Sequence, residues 1–125
     1  MRVIPVIHCA NVQESLVFYI GILGFKKKYP EASDADWVID LVQDGAEIQL
    51  SQHGGDGAFG CAINVRVNDV DWFFQQCVER GLDTSGRDDS PVHHGPVNQT
   101  WGMREFYATD SDGNTIEVVQ APTDQ

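Results

Sequence analysis

Apolar residues recur along the chain in two rhythms, and the rhythms follow one another in a repeated order. Val3–Ile7 is a short apolar run that reads as a strand. Asn11 then opens a helix. Asn11-x-x-Glu14 has the form of a capping box, with Asn where Ser or Thr is more usual. Leu16, Tyr19, Ile20 and Leu23 fall at helical spacing, and Gly24 stands where a glycine closes a helix. Phe25–Tyr29 reads as a strand and Pro30–Asp36 as a polar loop. Trp37–Gln43 and Ala46–Ser51 are strands joined by Asp44-Gly45, a two-residue hairpin signal.

Gln52–Phe59, with His-Gly-Gly and Asp-Gly, reads as a linker, and after it the order starts again. Cys61–Val67 is β-branched and alternating. Asn68 or Asp69 caps a helix that runs through Arg80 and closes at Gly81. Leu82–Thr84 reads as a short strand, and Gly86–Thr100 as a long loop. Arg104–Thr109 and Thr115–Gln120 are strands joined by Asp-Ser-Asp-Gly-Asn. Each half thus reads strand, helix, strand, strand, strand. A helix on one face of a mixed sheet leaves the other face free, and two such sheets can face each other across a cleft. The fold class expected is α+β: two βαβββ repeats forming a mixed sheet that encloses a cleft. Repeat one spans about 1–52, repeat two about 60–121, in one domain over 1–125.

Strand pairing then sorts the side chains. A two-residue turn at Asp44-Gly45 sets Gln43 opposite Ala46, Val42 opposite Glu47, Asp40 opposite Gln49 and Val38 opposite Ser51. Trp37, Ile39, Leu41, Ile48 and Leu50 share the other face, which reads as core against Leu16, Tyr19, Ile20 and Leu23. The open face carries Val38, Asp40, Glu47, Gln49 and Ser51. In the second half Phe106, Ala108, Ile116 and Val118 form the apolar face, with Ile63, Val65 and Val67. Glu105, Tyr107, Thr115, Glu117 and Val119 point the other way, with Ala62, Asn64 and Arg66. Such alternation marks sheets packed on one side.

Composition narrows what these faces can do. The length of 125 residues suits one domain with its own core. No apolar run reaches the roughly 18 residues of a membrane span. The start, MRVIPVIHCAN, is too short in apolar residues for a signal peptide, so a cytoplasmic location is expected. Cys9, Cys61 and Cys77 lie far apart without a CxxC spacing, which reads as free thiols in a reducing compartment. The net charge of −11 argues against nucleic acid and against an anionic membrane surface. The charge suits solubility, and it also suits a cationic ligand. Asp40, Glu47, Glu105 and Glu117 fall on the open faces, with Arg66 as the opposing charge. Trp101 and Tyr107 offer stacking and cation–π surface, although Trp101 beside a glycine also suits a core plug. Ser51, Ser85 and Ser90 lack a nucleophile motif. Gly54-Gly55-Asp56-Gly57 has no following Lys and is not a phosphate loop.

Asn11-Val12, Ser15-Leu16-Val17-Phe18-Tyr19 and Leu23-Gly24-Phe25 together resemble the first-helix signature of the vicinal oxygen chelate superfamily. Trp101-Gly102-Met103-Arg104-Glu105-Phe106-Tyr107 followed by Asp110-Ser111-Asp112-Gly113-Asn114 resembles the closing strands of its bleomycin-resistance-like branch. The resemblance implies the glyoxalase/bleomycin-resistance fold over nearly the whole chain. It also implies a homodimer whose two grooves lie at the interface, and four metal positions in those members that use a metal. These positions fall on Ile4, Gln49, Ala62 (Cys61 if the register slips by one) and Glu117. Only Glu117 is a good ligand there. His8, on the same face as Ile4 but about 13 Å further along, does not replace it. His53 reads as a solvated loop residue, and His93 and His94 lie in a loop whose path the sequence leaves open.

The reading that results is a metal-independent protein that binds a small, drug-like and cationic molecule. It assigns no catalytic residue, no metal and no cofactor. The ligand-binding set is Val38, Asp40, Gln49, Asn64, Trp101, Glu105, Tyr107 and Glu117. The alternative is a glyoxalase- or dioxygenase-type enzyme with a divergent metal site.

Overall fold

A computed structural model describes residues 1–33, 35–85 and 89–122 of the chain. The chain divides into two compact units, one of residues 1–61 and 110–114, the other of residues 62–109 and 115–125.

In the first unit the elements are β1 (Val6–His8), α1 (Val12–Tyr19), β2 (Lys26–Lys27), β3 (Val38–Gln43) and β4 (Ala46–Ser51). They form a sheet of order β1-β4-β3-β2, with β1 parallel to β4 and the other neighbours antiparallel. Asp44 and Gly45 both have positive φ, 48° and 85°, as a tight hairpin turn requires. The register of β3 on β4 is the one the two-residue turn dictates, with Asp40 opposite Gln49 and Val38 opposite Ser51. Ile39, Leu41, Ile48 and Leu50 are buried, as are Leu16, Tyr19 and Leu23. Burying each such side chain stabilises the fold by about 1.5–3 kcal/mol. Asn11 caps α1, its Oδ1 accepting the Glu14 amide at 2.9 Å.

The five-residue turn Asp110–Asn114 also belongs to this unit by its contacts. Tyr19 is fully buried and its hydroxyl donates to Asp110 Oδ2 at 2.7 Å. Asp110 Oδ1 accepts the amides of Asp112 and Asn114, each at 2.9 Å. Asn114 Oδ1 accepts the amides of Gly60 and Cys61, and its Nδ2 donates to the His8 carbonyl at 3.0 Å. Burial and the neighbouring Asp110 charge push the Tyr19 phenol far above its usual range.

In the second unit the elements are β5 (Ala62–Arg66), α2 (Val70–Glu79), β6 (Val97–Asn98), β7 (Arg104–Thr109) and β8 (Thr115–Gln120). Their sheet order, β5-β8-β7-β6, repeats that of the first unit, again with the first strand parallel to the last. Asp69 caps α2, accepting the Trp72 amide at 3.0 Å, and Gly81 follows the last turn with φ 106°. Phe106, Ala108, Ile116 and Val118 are buried. Phe74 meets the Phe106 ring edge-on at 5.0 Å. The α+β class with two βαβββ halves is therefore the observed one.

Several expectations are corrected. The first strand is Val6–His8 rather than Val3–Ile7, and the second is only Lys26–Lys27. Helix α1 stops at Tyr19 with Ile20 as its cap; Gly24, φ 90°, serves the turn that follows. Leu82–Thr84 is not a strand. The second strand of the second repeat is Val97–Asn98, inside the segment expected to be loop, and Pro91–His93 there forms a 3-10 turn. Residues 86–88 of that segment lie outside the described residues. Trp37 is not a core residue. It precedes β3, is 56% exposed and stacks on His53 at 5.3 Å.

Among the described residues no helix is long and apolar enough to cross a membrane. The three cysteines are free, and burial pushes each thiol up, Cys77 to about 11.

Candidate functional site: the open face of each sheet

On the second unit, strand register lays the open-face side chains out in rows. Asn64, Glu117 and Tyr107 stand side by side across β5, β8 and β7. Arg66, Val119, Glu105 and Val97 form the next row. Hydrogen bonds run across these rows. Arg66 Nε donates to Asn64 Oδ1 at 2.6 Å, and Asn64 Nδ2 lies 3.5 Å from Glu117 Oε1. The Tyr107 hydroxyl donates to Glu105 Oε1 at 3.3 Å, and Gln99 Nε2 donates to the same oxygen at 3.0 Å.

Glu105 is only 4% exposed. Both donors that reach it are neutral, and no Lys, Arg or His among the described residues forms an ion pair with it. A buried carboxylate is ordinarily paired with a cation. Burial, then the charges of Glu105 and Glu117, push the Tyr107 phenol up to about 12, so it stays a proton donor at neutral pH.

The open face of the first unit is built alike but satisfied differently. Gln49 Nε2 donates to Asp40 Oδ1 at 2.9 Å. Lys28 Nζ reaches both Glu47 oxygens at 3.1 Å, and Arg2 Nη1 reaches one at 3.2 Å. The hydrogen bond to Glu47 holds the Lys28 ammonium above its usual range. Val38 neighbours Ser51, which is buried because the linker closes over it: Ser51 Oγ donates to Asp56 Oδ2 at 2.7 Å and accepts the His53 amide.

Of the residues singled out from sequence, Asn64, Glu105, Tyr107 and Glu117 come together in one bonded group on the second unit. Val38, Asp40 and Gln49 lie together on the first. Trp101 joins neither: it is 64% exposed in the turn between β6 and β7, with no hydrogen bond or ring contact among the described residues. Gln99 and His93 were missed. His93 Nε2 lies 3.0 Å from Thr109 Oγ1, and its ring meets Tyr107 edge-on at 5.8 Å. Both come from the segment whose path the sequence left open, and neither carries a motif.

A family model described as glyoxalase superfamily protein matches residues 1–121. The chain belongs to this superfamily. No curated protein matches the sequence. Among solved structures, a bleomycin-binding protein in complex with bleomycin aligns with a TM-score of 0.74 at 21% identity, covering 96% of this chain and 98% of that one. A glyoxalase/bleomycin resistance protein from Catenulispora acidiphila DSM 44928 aligns with 0.73 at 15% identity, covering 98% and 99%. An antibiotic-binding protein from Streptomyces sp. CB03234 aligns with 0.68 at 20% identity, covering 97% of each chain. At these identities the likeness is one of fold.

Some members of the glyoxalase superfamily use a metal, and the donors of this chain do not fit one. Ile4 and Ala62 have no donor atom in their side chains, and the Gln49 amide is engaged by Asp40. Among the described residues no group of three His, Cys, Asp or Glu side chains is placed to hold an ion. His8 is no substitute: its ring packs on Phe59 at 4.4 Å, with Nδ1 buried and without a hydrogen-bond partner.

Proposed function

We propose that this chain is a metal-independent small-molecule binding protein. It holds a cationic, drug-like ligand on the open face of the second sheet, through Glu105, Glu117, Tyr107 and Asn64. The observation that carries this reading is Glu105, a buried carboxylate served, among the described residues, by neutral donors only, beside a second carboxylate. A ligand ammonium or guanidinium would supply the missing counter-charge, and Tyr107 an aromatic surface beside it. Fold relatives that bind bleomycin or another antibiotic support the same class of ligand. On this reading the protein does no chemistry. It lowers the free concentration of its ligand, as an antibiotic-resistance protein would, and works as a cytoplasmic homodimer. Val38, Asp40 and Gln49, on the open face of the first sheet, form a separate set outside this site, and Trp101 offers an exposed stacking surface.

A thermal-shift screen with bleomycin and with zinc, nickel and iron tests this. Bleomycin at about 100 times its dissociation constant should stabilise the protein by about 2.7 kcal/mol. Stabilisation by a divalent metal alone, with one ion per chain by elemental analysis, would favour the glyoxalase- or dioxygenase-type enzyme instead. Light scattering that gives a monomer mass would remove the dimer.

A further inference from the structure

One side chain of the segment before β6 reaches the ligand face. His93 ends the 3-10 turn Pro91–His93, and both of its ring nitrogens are engaged. Nδ1 lies 2.7 Å from Ser90 Oγ and Nε2 lies 3.0 Å from Thr109 Oγ1. The Thr109 hydroxyl is itself 3.3 Å from Thr115 Oγ1, so a chain of contacts runs from the turn onto β7 and β8. The two nitrogens point to opposite sides of the ring. With both held, the imidazole cannot rotate without losing a hydrogen bond, and its plane is fixed. The fixed ring meets Tyr107 edge-on, 5.8 Å between centroids and 83° between planes. Tyr107 has one phenol proton. Glu105 accepts it at 3.3 Å, and Glu117 stands directly opposite on β8.

We propose that His93 is a positioning residue for the ligand face: it holds the Tyr107 ring in the orientation that keeps the phenol among the two carboxylates. The inference rests on the reading of this face as the ligand site, and its test needs no ligand. Without His93 the ring gains freedom to swing toward solvent, and the phenol leaves Glu105. Among the described residues, the charged and titratable groups on this face are Glu105, Glu117, Arg66, His93 and Tyr107 itself.

The readout is the ionisation of Tyr107, followed by carbon NMR of its ring at about pH 10, where an ordinary phenol is half ionised. In the wild-type protein Tyr107, at about 12, is almost wholly protonated there. His93→Ala should bring it toward half ionised. His93→Gln can carry an amide to the place of Nε2 and keep the bond to Thr109, so it should restore the protonated state. His93→Asn reaches only toward Ser90 and should behave as His93→Ala. Melting curves at the same pH separate this from a structural role, which would lower stability and leave Tyr107 protonated. If His93→Ala does not fold, Thr109→Val removes the hydroxyl that Nε2 meets and should shift Tyr107 in the same direction. Tyr107 remaining protonated in the folded Ala and Asn variants, or in Thr109→Val, would overturn the proposal. So would a His93→Gln variant as ionised as His93→Ala. Failure of bleomycin to bind would remove the binding reading and leave this result unaffected.

Discussion

The two sheets share one topology and one pattern of register, yet they treat their acidic residues in opposite ways. Asp40 and Gln49 are directly opposed across the antiparallel ladder of the first sheet, and Tyr107 and Glu117 across that of the second. On the first unit every open-face acid is answered from within: Asp40 by the Gln49 amide, Glu47 by Lys28 and Arg2. On the second, among the described residues, Glu105 is buried and meets only neutral donors, and Glu117 has a long contact to Asn64 and the Tyr107 phenol beside it. The same scaffold thus carries one face where Glu47 is paired with two cations and one where, among the described residues, neither Glu105 nor Glu117 forms an ion pair. A binding reading belongs on the face that is incomplete.

The connections between the last two strands differ as well, and they give the largest expected effect. Asp110→Ala in the long turn strips the Tyr19 hydroxyl, two backbone amides and the Asn114 amide of their acceptor. Buried donors left without partners should cost about 3 kcal/mol, read as a lower urea midpoint. A loss below about 1 kcal/mol would mean that this turn is ornamental. The short turn depends on backbone conformation instead. Gly45→Ala places a side chain at φ 85° and should cost about 1 kcal/mol by the same measurement. Equal losses at the two turns would erase the contrast.

The smallest effect concerns pH. The hydrogen bond from Arg104 holds Asp71, at the start of α2, below the usual carboxylate range. A lowered value means that the folded state releases this proton more readily than the unfolded chain. The pair therefore stabilises fully above the ordinary carboxylate value and loses that contribution as pH falls through the lowered one. The melting temperature of Asp71→Asn should fall less steeply on the acid side than that of the wild type. Parallel acid limbs would show the pair to be idle.

The sequence made some of this legible for physical reasons. A two-residue turn leaves no slack, so Asp44-Gly45 determines the partner of every residue in β3 and β4. Alternation then separates Ile39 and Leu41 from Asp40 with no further information. Where long-range contacts decide, the pattern is silent. Val97–Asn98 is too short to show a period and exists because β7 pairs with it. Trp37 continues the apolar alternation, but it stands one residue before its strand, where His53 rather than the core receives it. The amide that meets Glu105 comes from Gln99, and the ring that packs on Tyr107 from His93. No local signal marks either, because both act across the sheet from a segment without periodicity. The acidic residues were visible as a set, whereas which of them lacked a partner was not.

The central claim is that the charge imbalance of the second face binds a cation. Calorimetric titration of bleomycin into the wild type, Glu105→Gln and Asp40→Asn, at low and high salt, tests it most directly. Glu105→Gln keeps the side-chain shape, removes the buried charge and should weaken binding by about 1–3 kcal/mol, with a smaller salt dependence than the wild type. Asp40→Asn should bind as the wild type does. Equal affinity in all three proteins with no effect of salt, or a larger loss in Asp40→Asn than in Glu105→Gln, would contradict the account.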